Sequence, residues 1–203
     1  MTTKLRHTTA AAATAVALTA ALAACGNSDT SSDAKAADSP MASSAGAQTF
    51  GSACSAVPKS GAGSFDGMVK DPVATAASNN PLLSTLVTAV TKAGLVDTLN
   101  GADGLTVFAP TNDAFAKLPK KQLDAVLANK KVLTEILTHH VVAGQMDPTN
   151  IDGTQKTLNK DTVTVEGDTN GMTVDGAHVL CGNIPTANAT VYVIDQVLMP
   201  GKM

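Results

Sequence analysis

The chain has 203 residues, of which 44% are hydrophobic, 2% are aromatic and none is tryptophan, and its formal net charge is −3. Nucleic-acid binding depends on cationic surfaces and stacking aromatic rings, so this composition argues against a nucleic-acid partner. The length suffices for one domain with a real core.

Residues 1–24 are typical of a secretory signal peptide. Lys4 and Arg6 precede an apolar, uncharged run, "AAAATAVALTAALAA", that ends in small residues, as signal peptides do. The run is less apolar and shorter than the roughly 20 strongly apolar residues of a membrane span. Its removal takes away both cations and no acid, so the mature chain is two charges more negative than the full sequence.

The end of this run, Leu22-Ala23-Ala24-Cys25, resembles the bacterial lipobox. The resemblance implies that the chain is cut before Cys25, that the sulfur carries an acyl chain such as palmitate, and that the new amino group is acylated too. Two or three acyl chains give a stable anchor where one is marginal. We therefore expect a lipid-anchored protein on the extracytoplasmic face of the cell membrane.

Residues 25–49 are rich in Ser, Ala, Asp and Gly. Such a stretch buries too little apolar surface to offset the entropy of ordering, and we predict a disordered tether between the membrane and a domain at 50–203. The Ser and Thr residues of the tether also permit O-glycosylation.

The predicted domain begins with helices. Pro81 suits a first helical turn and Gly94 a helix end. In this stretch the apolar residues recur at spacings of three and four, which predicts one apolar helical face. The residues of this face are Leu82, Leu83, Leu86, Val87, Val90 and Leu95.

A short apolar strand, "GLTVFAP", follows between Gly104 and Pro110. Thr111 or Asn112 is suited to cap the next helix, with Asp113 in its first turn. The stretches "KKQLDAVLAN" and "KKVLTEILTHH" predict two further amphipathic helices.

From Gln155 onward the apolar period changes to two, in "TVTVEG", "GMTVDGAHVL" and "ATVYVIDQVLMP". Asp175-Gly176 between two such runs predicts a tight hairpin. Helices followed by hairpin-connected strands indicate an α+β fold.

Three of these stretches resemble the fasciclin family. "TVFAPTNDAFAKLP" (residues 106–119) is similar to the first fasciclin signature, "VYVIDQVLMP" (191–200) to the second, and "ILTHHVVAG" to the segment between them. A narrower resemblance links the chain to single-fasciclin secreted and lipoprotein antigens of mycobacteria and other actinobacteria. The resemblance implies a wedge of two β-sheets with helices packed along one edge, without a cofactor.

Most signature residues are expected to form the core. Strand alternation places Val107 and Phe108 on opposite faces of the predicted strand. Phe115 belongs to the helix that follows. The four apolar residues 191–194 predict a strand covered on both faces.

His140 follows the apolar spacing of its helix, so we expect a buried, neutral side chain bonded to backbone. Adjacent histidines on a helix point about 100° apart and do not easily share a metal. His178 is the other histidine of the predicted mature chain, and no metal site is predicted.

In animal fasciclin domains a Tyr-His region and an Asp-Ile region contact integrins. Here His139 replaces the tyrosine, and the later pair has the reverse order, Ile194-Asp195. The resemblance therefore implies adhesion only in general, with Thr138, His139 and Asp195 as a candidate polar binding patch for a surface protein or glycan.

No catalytic motif is evident. The glycines of "GAGSFDG" match neither a dinucleotide-binding loop nor a P-loop, and no nucleophile elbow is present. Asp161 and Glu166 are expected in solvated turns. We predict a non-enzymatic adhesion or binding module of the bacterial envelope, and the alternative is a carrier of a small apolar ligand, such as a lipid, between helices and sheet.

Three cysteines cannot all pair with each other. Lipidation of Cys25 would leave Cys54 and Cys181, both in an exported domain where disulfides form. The residues alone also allow two free thiols, and the narrower resemblance implies that Cys54 and Cys181 are joined.

Overall fold

The computed structural model describes residues 45–201. The predicted signal peptide, Cys25 and most of the predicted tether therefore lie outside the described residues. Residues 45–49 contact the domain: the Ala45 N–H donates to the Asp66 carboxylate at 2.9 Å, and the Asn183 amide donates to the Gln48 carbonyl at 3.1 Å. The folded part thus begins before residue 50.

The described helices follow the predicted order. Short 3₁₀ turns lie at Ser52–Ala56 and Pro81–Leu83. The α-helices are α1 Phe65–Met68, α2 Val73–Ser78, α3 Ser84–Ala93, α4 Val96–Asn100, α5 Asn112–Ala116, α6 Lys120–Ala128 and α7 Lys130–His139. Within residues 45–201, no helix is both long enough and apolar enough to cross a bilayer.

The helix ends are set by the residues that the sequence indicated. Pro81 begins the 3₁₀ turn before α3, and Gly94 ends α3 with a φ of 74°. The Thr111 hydroxyl accepts the Ala114 N–H at 3.2 Å and so caps α5. Leu95, predicted on the α3 face, lies instead at the N-cap of α4, because Gly94 turns the chain first.

The strands are β1 Leu105–Pro110, β2 Val141–Ala143, β3 Gly153–Lys156, β4 Thr162–Glu166, β5 Thr173–Val174, β6 Ala177–Pro185 and β7 Ala189–Ile194. Their order is β2-β1-β7-β6-β5-β4-β3, with β1 and β7 parallel and the other neighbours antiparallel. The α+β class is confirmed. The pairing of β5 with β6 joins the strands β2, β1, β7 and β6 to the strands β5, β4 and β3. A bridge between Val142 and Thr157 brings the ends of the series together.

The predicted hairpin lies between β5 and β6. Asp175 and Gly176 have φ values of 46° and 81°, as a two-residue turn of this kind requires. The Asp175 carboxylate also accepts the Thr164 N–H at 2.8 Å, which ties the turn to β4.

Two apolar clusters lie on opposite faces of β1 and β7. Val107 and Val191 pack with the helices, whereas Phe108, Tyr192 and Ile194 pack with β4 and β5 on the other face. The predicted alternation of the signature residues is confirmed, and these residues lie in the core.

Cys54 and Cys181 form a disulfide, with Cα atoms 4.9 Å apart. It joins the turn at Ser52–Ala56 to the middle of β6. Phe50 and Gly182 form a β-bridge beside it. The implied pairing is confirmed, and it fastens the N-terminal segment to the sheet.

Candidate functional site

The three residues of the predicted polar patch do not form one exposed surface. Thr138 donates its hydroxyl to the Thr134 carbonyl at 2.8 Å. Asp195 pairs with Lys117 at 2.9 Å and accepts the His178 N–H at 2.8 Å. His139 is 2% exposed. The expectation of one polar surface patch that includes Thr138, His139 and Asp195 is therefore corrected, because the end of α7 turns the His139 ring inward.

His139 lies between two carboxylates from separate turns. Its Nδ1 is 2.8 Å from Asp161 Oδ1, and its Nε2 is 3.9 Å from Asp175 Oδ2. Among residues 45–201, neither ring nitrogen has a hydrogen-bond partner of acceptable geometry. The ring thus links the end of α7 to the turns before β4 and β6.

Asp161 is the centre of this polar cluster. It accepts the Thr157 hydroxyl, and the Asn159 amide at 2.8 Å. Partial burial acts to raise the pKa of Asp161, but the hydrogen bond from Thr157 and the contacts with His139 and Asn159 outweigh it and lower that pKa. Among residues 45–201, no group of three or more His, Cys, Asp or Glu side chains is arranged to hold a metal ion.

His140 is buried and fully engaged, as predicted. Its Nδ1 lies 2.8 Å from the Ile136 carbonyl, and the Leu198 N–H donates to its Nε2 at 2.9 Å. This pattern assigns the neutral ring with its proton on Nδ1. Burial lowers the pKa of His140 from 6.5 to about 4, so the ring is a structural link between α7 and the segment after β7.

An apolar pocket, which we call the apolar groove, lies where α2, α3, α4 and α7 meet β1. Its volume is about 60 Å³. The groove is defined by side chains from each of these elements and from the loop after β3. Representative lining residues are Ala74, Val87, Val96, Val107, Leu137 and Leu158.

Leu158 lies at the groove with 39% of its surface exposed. Its N–H donates to the Val141 carbonyl at 2.7 Å, which holds this loop residue in place. Val87 and Val96 are half-buried. The groove therefore exposes apolar surface next to the solvent.

Polar atoms are scarce along the apolar groove. In the part of the chain that the structure describes, the lining residues with polar side-chain atoms are Thr98, Thr138 and His140, and none is charged at neutral pH. The Thr138 hydroxyl and both His140 ring nitrogens already bond within the protein.

A cleft between helices and sheet belongs to the alternative function considered for the sequence, a carrier of a small apolar ligand, and the sequence does not identify the residues that line it. Leu158 stands in the polar stretch "KTLNKD". A lone apolar residue among polar neighbours was the available signal. The helical face from Leu82 to Leu95 was predicted to be apolar, but its period does not distinguish a groove wall from a packed core.

Comparisons with known proteins show what this chain is similar to. The Fasciclin domain family model matches residues 81–200. Cell surface glycolipoprotein MPB83 of Mycobacterium bovis is 54% identical over 145 residues, which cover 69% of this chain and 66% of that protein. Immunogenic protein MPB70 of Mycobacterium bovis is also 54% identical over 145 residues, covering 69% of this chain and 75% of its own length.

The fold is also similar to a solved structure, the FAS1 domain pair from the insect cell adhesion molecule Fasciclin I. The TM-score is 0.54 at 16% identity, and the match covers 66% of this chain and 52% of that chain. At this identity the likeness concerns the fold alone.

Proposed function

The chain belongs to the fasciclin domain family, and on that premise we propose that it is a non-enzymatic binding module held at the bacterial cell surface by lipid on Cys25. The observation that carries this proposal is the 54% identity to a protein named as a cell surface glycolipoprotein. The Leu22–Cys25 tetrad supports the same location independently.

The chemistry of the described residues supports a binding role over a catalytic one. Cys54 and Cys181 are joined, so neither supplies a thiolate nucleophile. The His140 ring is fully used in backbone contacts. His139 is buried against Asp161 rather than beside a nucleophile.

The partner of the main proposal is a surface protein or a glycan. Because His139 is buried, it is not itself a contact for such a partner, and the candidate contacts are the exposed groups around Thr138 and Asp195. Exposed groups around these residues, such as Lys117 beside Asp195, remain available to a partner.

The apolar groove favours a second candidate function, which is the binding of a small apolar ligand. An apolar cavity of about 150 Å³ holds a benzene molecule. The groove, at about 60 Å³, encloses less than that. This supports contact with part of a ligand at the surface rather than enclosure of a whole lipid.

Anchoring is tested by replacing Cys25 with serine in the full chain expressed in an actinobacterium. The wild-type protein should enter the detergent phase after Triton X-114 extraction, and Cys25→Ser should stay uncut or be released. Ser31→Ala, in the same segment, is the matched control and should behave as wild type. A cleaved Cys25→Ser protein that still enters the detergent phase would contradict lipidation at this residue.

Binding is tested by photo-crosslinking on intact cells followed by mass spectrometry. The wild-type protein should yield a reproducible set of crosslinked surface proteins or glycans that the released Cys25→Ser protein does not yield. Recovery of the uncrosslinked protein alone, at full surface display, would contradict the binding role.

A further inference from the structure

We infer that the apolar groove binds the end of an alkyl chain, such as the acyl tail of a lipid. This deepens the proposed binding function by naming the chemical class of one ligand. It rests on the proposed surface location only for how the protein meets lipid, because the groove itself is a feature of the folded domain.

The apolar groove leaves apolar side chains partly exposed that a packed core would cover. Val107 and Leu137 line the inner part of the groove, while Leu158 leaves 39% of its surface in contact with solvent. Val87 and Val96 are half-buried beside them. Burying these exposed parts against a ligand is favourable in proportion to the apolar area removed from water.

The polar atoms of the groove lining favour an alkyl chain over a peptide as the ligand. A peptide brings N–H and C=O groups, each of which must find a partner when it is buried. Of the three lining residues with polar side-chain atoms, Thr138 and His140 have already committed theirs to backbone groups, and the single Thr98 hydroxyl cannot satisfy all the N–H and C=O groups of a buried peptide. An alkyl chain brings no such groups, so it loses no hydrogen bonds on entering the groove.

The volume of the apolar groove limits how much of an alkyl chain it can enclose. By proportion to the 150 Å³ cavity that holds benzene, about 60 Å³ accommodates two or three carbon atoms. The end of a chain fits this space, and the next few carbons can lie on Val96 and Leu158 near the solvent. An uncharged lining also matches an uncharged chain.

The test is a titration of the full chain carrying Cys25→Ser, which has no lipid of its own, with straight-chain alcohols from butanol to decanol. Methyl signals of Val87, Val96 and Leu158 are followed by NMR. Affinity should rise about fourfold for each added methylene group and then level off once the groove and its rim are covered. Since this protein has no thiol at residue 25 to acylate, the result does not depend on whether Cys25 is lipidated in the wild type.

Two variants locate the binding. Ala74→Leu places a larger side chain in the groove and should abolish the methyl shifts. Leu158→Gln removes part of the exposed apolar surface and should weaken affinity about fivefold. Val69→Gln is the matched control, because Val69 is 36% exposed but is not a lining residue of the groove, and it should bind as wild type.

Each other outcome overturns the inference. Affinity that keeps rising through decanol, with no plateau, indicates non-specific partitioning. Unchanged binding in both Ala74→Leu and Leu158→Gln places the ligand elsewhere. Shifts caused by a capped apolar dipeptide but not by alcohols assign the groove to peptides.

Discussion

Reduction of the Cys54–Cys181 disulfide should lower the free energy of unfolding by about 5 kcal/mol without changing the fold. The two cysteines are 127 residues apart, and the chain-entropy model assigns about 5 kcal/mol at 25 °C to a closed loop of this size. The folded state should keep its shape because Phe50 and Gly182 exchange backbone hydrogen bonds of 3.3 and 2.8 Å beside the disulfide.

Calorimetry with and without reductant measures this effect. For a domain of this length each kcal/mol corresponds to about 2–4 °C, so Tm should fall by about 10–20 °C. The double variant Cys54→Ala/Cys181→Ala should melt near the reduced protein and should not respond to reductant. Far-ultraviolet circular dichroism should be the same in both redox states below Tm.

A Tm decrease of less than about 3 °C, in a sample whose two thiols titrate as free, would contradict this expectation. Such a result would mean that the unfolded chain is already restricted without the disulfide. A change in circular dichroism below Tm would instead show that the Phe50 bridge does not hold the segment alone.

Three further predictions concern single residues. Burial lowers the pKa of His140 from 6.5 to about 4, so the unfolded chain takes up a proton first as pH falls. The free energy of unfolding should be full above pH 6.5 and should drop by about 3 kcal/mol by pH 4. A His140→Gln variant that shows the same loss between pH 6.5 and 4.5 in thermal melts would contradict this. Gly182→Ala should lower Tm by displacing Phe50, since a Cβ there would overlap the Phe50 ring, and an unchanged Tm would show that the ring moves freely. Thr111→Ala should cost about 1 kcal/mol in urea unfolding by removing the acceptor of the Ala114 N–H, while Thr111→Ser should retain most of it.

Local signals predicted much of the fold. Gly94, Thr111 and the Asp175-Gly176 pair each act on the backbone within a few residues, and each performs the predicted task. Strand β2 was missed because Val141–Ala143 offers only three residues, too few for a period. Its pairing with β1 is decided by the tertiary structure rather than by the local pattern.

The surroundings of His139 could not be predicted in the same way. Its contacts with Asp161 and Asp175 come from two turns that follow it in the sequence by more than twenty residues. The helical period places His139 off the apolar face of α7, and this position predicts an exposed side chain. The turns that carry Asp161 and Asp175 cover that side as well, and no pattern within α7 reports this.

The apolar groove depends on residues beyond the stretch that matches the family model. Its α2 wall, Val73–Ser78, precedes residues 81–200. Side-chain amides tie this wall to the rest: Asn188 accepts the Val73 N–H at 2.9 Å, and Asn100 accepts the Ala74 N–H at 3.0 Å. Because α2 supplies Val73 and Ala74 to the lining, fasciclin domains with another segment at this place would present a different groove on the same sheet. The ligand proposed here therefore belongs to this chain and to relatives that keep α2 and its two asparagine contacts, rather than to the fasciclin fold in general.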